Sequence, residues 1–295
     1  MKRQTATDLH SVDLKVWRAG THLKALKREA AQIDQLGLPG FRVEIEREGL
    51  DHSLFPTGPT AVPDSFLVTL GDCIHNLRSV LDHLAGNLVR LSGAKPDRVS
   101  FPVLHAVQRT NPCTGAKEPS LNLPVTPEIR NWLDSVQPYQ RTEVGRRLGI
   151  LHELDIVDKH RSMLVSAFAA ESLRWHKDGE NWADANRFPF PSHTWFSDQP
   201  LKDGQKCVTA TYDSPQLEVN PYLNVGVKIL FAGRSPARGK VVVSVLDDLY
   251  RLVVSELLPA AGIFFGIDPK AARIRVTQRW SVGGNQRSLS NRSAR

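Results

Sequence analysis

Cysteine is scarce in this chain and poorly placed for chemistry. Cys73, Cys113 and Cys207 are the only three in 295 residues, widely spaced and never arranged as Cys-x-x-Cys. A disulfide framework and a thiolate zinc site are therefore not expected, and a reducing cytoplasm suits the composition. Long apolar runs are missing as well. The longest such region, Leu252 to Ile267, is interrupted by Glu256 and Pro259 and falls short of the roughly 20 residues that span a bilayer, so it reads as a buried helix in a soluble protein. The opening MKRQTATDLH passes from a basic pair into polar residues where a secretory signal needs an apolar stretch of about ten, and no export signal is expected. Several catalytic signatures are absent too: Gly-x-x-x-x-Gly-Lys-Ser/Thr, Gly-x-Ser-x-Gly, His-Glu-x-x-His and a convincing Gly-x-Gly-x-x-Gly. These absences argue against a nucleotide-cradling loop, a serine-hydrolase elbow and a zinc protease helix.

What is present suits a folded globular chain. With 41% hydrophobic and 23% charged residues, it can bury a sizeable core in one or two domains. The formal charge of +7 favours anionic partners through long-range attraction, RNA or another phosphate-bearing ligand among them. Part of that excess lies in Gly283 to Arg295, a basic Ser/Asn/Gly-rich tail of the kind that stays disordered.

Periodicity assigns the elements. Leu14, Trp17, Leu23, Leu26 and Ile33 recur at mostly three- or four-residue steps, which predicts an amphipathic helix from Asp8 to Leu36. Phe41, Val43 and Ile45 alternate with charged residues and predict a short strand or an extended arm. Asp64 or Ser65 caps a second helix to about Leu91, whose apolar stripe runs through Leu70, Cys73, Ile74, Leu77, Val80, Leu81, Leu84 and Leu88. A surface stretch from Ser92 to Pro124, anchored by Phe101 and Val103, leads to a Thr126-Pro127 helix start. Another helix covers Glu143 to Arg161. Beyond it, Met163 to Ala170, Cys207 to Tyr212, Leu223 to Phe231 and Lys240 to Val245 have strand composition, followed by a helix over Leu246 to Leu258 and a last strand at Ile274 to Gln278. The expected fold is α+β: a helical bundle over 1–161, a mainly antiparallel sheet with a closing helix over 162–282, and the tail 283–295.

Two helix faces are chemically unusual. At 100° per residue, Asp72, His75, Asn76, Ser79, Asp82 and His83 gather opposite the apolar stripe. A solvated face ordinarily carries long Lys, Glu, Arg and Gln chains, because Asp, Asn, Ser and His are poorer helix formers. On the second helix His152, Asp155 and Lys159 stack at i, i+3 and i+7, with Asp158, His160 and Arg161 extending the group. These faces could form a concave site with Arg78 at its rim as a phosphate anchor, or a structural network in which Arg78 pairs with Asp82 and Asp155 with Lys159. Asp72, His75, His152 and Asp155 could alternatively ligate a metal, although the Glu-x-x-His pattern of di-iron bundles is absent. Trp175, Trp182 and Trp195 could stack bases or simply pack in core and loops.

The segments Gly71 to Leu84 and Leu151 to Arg161 resemble those of bacterial proteins of similar length whose activity is not characterised, which implies a bacterial setting. Arg78-Ser79-Val80-Leu81-Asp82-His83 also resembles the arginine-to-histidine motif of HEPN-type ribonucleases, helical proteins that commonly act as dimers in toxin and phage-defence systems. Arg147 to His152 and Arg98 to His105 also fit the family's pattern of an arginine, four to six residues and a histidine, and the β-rich second half departs from that all-helical pattern. The resemblance implies metal-independent RNA cleavage without a cofactor. Arg78 would bind phosphate and His83 would act as acid or base, with His75, Asn76 and Asp82 orienting them and His152, Asp155, Asp158, Lys159 and His160 as the opposing wall. Arg78 and His83 lie about 140° apart on one helix, so a homodimer would be needed to present them together.

Overall fold

A computed structural model of the chain describes residues 9–35, 40–58, 60–106, 109–110, 117–118, 121–160, 165–175, 189–218 and 223–268. The expected strand at Ile274 to Gln278, the tail, Cys113 and Trp182 lie outside the described residues.

The long helices follow their hydrophobic stripes. Helix α1 (His10–Gln35) and helix α2 (Asp64–Leu91) flank a hairpin of β1 (Gly40–Glu46) and β2 (Asp51–Thr57), with Gly40 opposite Thr57 and Glu46 opposite Asp51. After the short pair β3 (Arg109–Thr110) and β4 (Lys117–Glu118) come α3 (Pro127–Ser135) and α4 (Glu143–His160). Pro127 occupies the first turn of α3, where its missing N–H is not needed. Strands β5 (Val165–Trp175), β6 (His193–Phe196), β7 (Val208–Thr211) and β8 (Leu223–Phe231) complete the sheets. The order in the four-stranded sheet is β1-β2-β7-β6, while β5 pairs with β8 separately, and every pairing is antiparallel. The fold is therefore α+β. No described helix is long and apolar enough to cross a membrane.

The chain divides into two compact units: 1–23, 71–161 and 246–295 in one, and 24–70 with 162–245 in the other. Relative to the expected division into 1–161 and 162–282, residues 24–70 and 246–282 change units. The hairpin inserted between α1 and α2 supplies two of the four strands of the larger sheet, so residues 24–70 go with the β-rich segment. The C-terminal helix instead joins the helical unit.

In that helical unit α2 contributes the buried stripe from Cys73 through Leu88, α4 contributes Leu148, Leu151 and Leu154, and the C-terminal helical region contributes Leu246, Leu249, Leu252 and Val253. Backbones approach closely at two points. Gly20 of α1 faces the Tyr250 hydroxyl, 3.0 Å from where a Cβ would stand, and Cys73 Sγ lies 3.6 Å from the Ala19 carbonyl oxygen. In the β-rich unit the core is Leu54, Ala167, Leu201, Cys207, Val208, Val225 and Val227, with Phe41 and Val43 packed against it from β1. Trp195 is half exposed on β6.

Three local expectations change. Lys240 to Val245 does not form a strand: a single bridge joins Val241 to Leu230, and helix α5 (Val242–Arg251) begins at once. Its β-branched residues serve helix packing, with Val242 and Val245 buried, an instance of burial overriding strand propensity. The helical path then continues through a π segment (Leu252–Leu257) and α6 (Leu258–Gly262). Strands β2 and β6 were not anticipated, because Asp51, Pro56 and the brevity of His193–Phe196 blur the two-residue alternation.

Candidate functional site

Both polar faces belong to the helical unit, and they meet. Where α2 and α4 come together Gly71 leaves room for Asp158: a Cβ on Gly71 would stand 2.5 Å from the Asp158 carboxylate. One turn further along α2, His75 Nδ1 lies 3.6 Å from Asp155 Oδ1. The other oxygen of Asp155 accepts a hydrogen bond from Lys159 Nζ at 2.6 Å. A single carboxylate, 4% exposed, thus stands between an imidazole and an ammonium group that are each about half exposed.

Asp155 Oδ1 is buried without a hydrogen-bond partner among the described residues, as is His152 Nδ1. A buried carboxylate oxygen is costly to leave unsatisfied. His75 Nδ1 needs to close by under 1 Å to donate to it at ordinary hydrogen-bond length. That contact would fix the tautomer with the proton on Nδ1 and leave Nε2 as the basic nitrogen. Ser79 Oγ stands 3.4 Å from that Nε2, one helical turn further along.

The other half of the α2 face is closed. Arg78, expected at the rim, is buried with 7% of its side chain exposed. Its Nη1 donates to Asp82 Oδ1 at 2.6 Å and its Nη2 to the Phe101 carbonyl at 2.8 Å, while the Phe101 N–H donates to Asp82 Oδ1 at 2.9 Å. The arginine expected to bind phosphate instead clamps the segment that follows α2. Asn76 is also turned inward and donates to the Asp72 carbonyl of its own helix at 2.7 Å. Asp72 and His83 are exposed on α2. His160 closes α4, and its side chain lies outside the described residues.

His152 is half-buried on α4. Burial holds its imidazole below the ordinary value of 6.5, with Arg78 and then His105 adding to the effect and Asp155 and Asp82 opposing it. A lowered folded-state pKa means that the unfolded chain takes up the proton first. The associated stability is complete above about pH 6.5 and is lost as pH falls through the folded-state value. Asp158 has the opposite sign. Burial first, then the Asp155 charge, holds its carboxyl above 3.8, so its contribution weakens as pH rises through that range. Thermal melting should accordingly fall between about pH 7.5 and about pH 5.5, and His152→Gln should flatten that fall. His22, likewise lowered by burial, would keep the remainder. An unchanged slope in the variant would show that His152 does not carry this linkage.

Three residues absent from the expected site, His105, Glu153 and Gln137, lie beside His152 or support that neighbour. His105 Nε2 lies 3.4 Å from Glu153 Oε1, and its ring centroid is 6.5 Å from that of His152. Gln137, fully buried, holds the segment before His105 by accepting from Leu104 N and donating to the Pro102 carbonyl. The Arg98 to His105 spacing was the one available hint of His105. Cys73 is no nucleophile here, because burial pushes its thiol up to about 12. The alternative metal set Asp72, His75, His152 and Asp155 does not converge: among the described residues no three His, Cys, Asp or Glu side chains are placed to share an ion.

Compared with family models, with curated protein sequences and with solved structures, the chain matches none.

Proposed function

We propose that this chain is a metal-independent ribonuclease whose acid–base group is His75, oriented by Asp155, with Lys159 as the cation beside it. One observation carries the reading: a buried carboxylate, unsatisfied at Oδ1, is flanked by an exposed imidazole on one oxygen and an exposed ammonium on the other. In a purely structural network the polar groups would satisfy one another. Here the Arg78–Asp82–Phe101 half does so, and the Asp155–His152 half does not.

The chemistry follows from the residue types. His75 Nε2 accepts the proton of a ribose 2′-hydroxyl, while the proton on Nδ1 turns toward Asp155 and keeps the ring aligned. Lys159 offsets the charge that builds on the phosphate, the role the sequence assigned to Arg78. The net charge of +7 draws a polyanion toward the chain. A bacterial setting belongs to the same reading through the resemblance of Gly71 to Leu84 and Leu151 to Arg161, a cytoplasmic one through the sparse cysteines, and a homodimer and a toxin or phage-defence role through the HEPN resemblance of Arg78 to His83.

The purified chain should cleave a mixed, end-labelled RNA in the presence of EDTA. Lys159→Ala should lower kcat/KM by roughly 10-fold or more. Cleavage that EDTA abolishes would refute the metal-independent reading. Ser79 supplies a second reading, since Ser79 Oγ, His75 and Asp155 stand in the order of a serine-hydrolase relay. Under that reading Ser79→Ala abolishes hydrolysis of an activated acyl ester. Under the ribonuclease reading it changes RNA cleavage by no more than about threefold.

A further inference from the structure

The segment Phe101 to His105 has no regular secondary structure, and its two ends are held by unequal means. Phe101, 1% exposed, is clamped at its carbonyl by the buried Arg78 and at its N–H by Asp82. Gln137, itself buried, donates to the Pro102 carbonyl at 3.1 Å and accepts from Leu104 N at 2.9 Å. The far end is lighter. His105 rests on α4 at Gly149, its Cε1 3.3 Å from where a Cβ would stand. Its Nε2 lies 3.4 Å from Glu153 Oε1, in a pair whose side chains are both about half exposed, and such a pair contributes little to stability.

His152 of α4 stands beside this end. Its ring centroid is 6.5 Å from that of His105, and its Nδ1 is buried with no hydrogen-bond partner among the described residues. A neutral imidazole tolerates that place with Nδ1 as an idle acceptor. An imidazolium does not, because Nδ1 then carries a buried N–H that no acceptor meets. The charges around it act in both directions. Arg78 from α2 and His105 from the segment oppose the proton, Asp155 from α4 and Asp82 from α2 favour it, and burial with the first two outweighs the carboxylates. Arg78 keeps its charge at every ordinary pH and is pinned at Asp82 and Phe101. His105 is the neighbour that can leave. Its departure admits water to Nδ1 and separates two imidazoles that gain charge over the same pH range. Glu153 pulls the other way, since it attracts a protonated His105, but water screens that half-exposed pair.

We infer that the His105 end of this segment is an acid-released latch: when His152 takes up a proton, Leu104 and His105 lift from α4 while Phe101 stays clamped. The chain turns at Val103, between the Pro102 carbonyl and Leu104 N. Leu104 N leaves Gln137 Oε1 as the latch opens, which makes its amide the reporter of opening. Opening returns His152 to its ordinary value near 6.5, so the closed form is favoured above that pH and loses its advantage below it. This device does not depend on the ribonuclease reading.

Native-state hydrogen exchange of the full chain tests it, with protection expressed relative to the exchange rate of an unstructured peptide at each pH. Between about pH 7.5 and about pH 5.5, protection of the Leu104 amide should fall by about fivefold or more. Low urea should leave that exchange unchanged, as a local opening requires, whereas the Phe101 amide should exchange more slowly and respond to urea. His152→Gln keeps the side-chain bulk without a site for the proton, and in it the fall at Leu104 should shrink to less than about twofold. The wild-type chain gives a second check. Its fall at Leu104 should level off once the His152 ring, followed by NMR, has titrated. Constant protection at Leu104, a fall that persists in His152→Gln, or one that levels off with a different histidine would each overturn the inference. Leu104 and Phe101 exchanging at one rate with one urea dependence at about pH 5.5 would overturn it too, because the clamp and the latch would then open together.

Discussion

Replacing Arg78 with alanine should destabilise the fold by about 3 kcal/mol, near the lower end of the cost of breaking a buried ion pair. The guanidinium is buried and makes two hydrogen bonds, to Asp82 and to the Phe101 carbonyl. Its removal leaves the carbonyl without a donor and the Asp82 carboxylate without a counter-charge. The lower end is appropriate because the Asp82 side chain is 34% exposed, so water screens part of the loss. Urea unfolding of Arg78→Ala, Asp82→Ala and the double variant should show a double loss smaller than the sum of the single ones, the signature of residues that share an interaction. A fully stable Arg78→Ala chain that has lost RNA affinity would instead restore the arginine to a phosphate-binding role.

Gly145→Ala should cost about 3 kcal/mol or more, at the upper end of overpacking effects. A Cβ at this position would stand 2.3 Å from the Gln137 carbonyl oxygen, 2.9 Å from its carbonyl carbon and 3.1 Å from the Pro138 Cα. All three are backbone atoms, so no side chain can swing aside and the start of α4 must move. Gln137 also holds the segment that carries His105, so the displacement reaches the site. Bidentate pairing of Arg147 with Glu256, at 2.9 and 2.8 Å, resists that movement from the other side of α4. Circular dichroism melts of Gly145→Ala beside Gly86→Ala make the comparison, since a Cβ at Gly86 would meet only ordinary contacts at 3.9 Å. Equal stability of the two variants would contradict the close packing of α4 on the Gln137–Pro138 turn.

The helices were legible because each carries a long apolar stripe at helical spacing. The same wheel placed His75, Ser79, His152, Asp155 and Lys159 on polar faces, and the structure brings those faces together. Several features were hidden from that reading. A helical wheel separates polar from apolar directions, but Arg78 lies at their border, and only the position of Phe101 turns it inward. His105 is set by hydrogen bonds from Gln137, more than 30 residues away in sequence, so no local pattern marks it. The glycines at 71, 145 and 149 give no periodic signal, yet each marks a point where another residue closes on the helix. Lys240 to Val245 reads as a strand because its β-branched residues suit a strand as well as a buried helix face.

The most direct measurement is the rate of RNA cleavage in EDTA by the chain and by its His75→Ala variant, with the ends of the product strands identified. EDTA-resistant cleavage to 2′,3′-cyclic phosphate ends, slowed by at least about 100-fold in the variant, is the predicted result. Cleavage at an undiminished rate in the folded variant would contradict the assignment of His75 as the acid–base group.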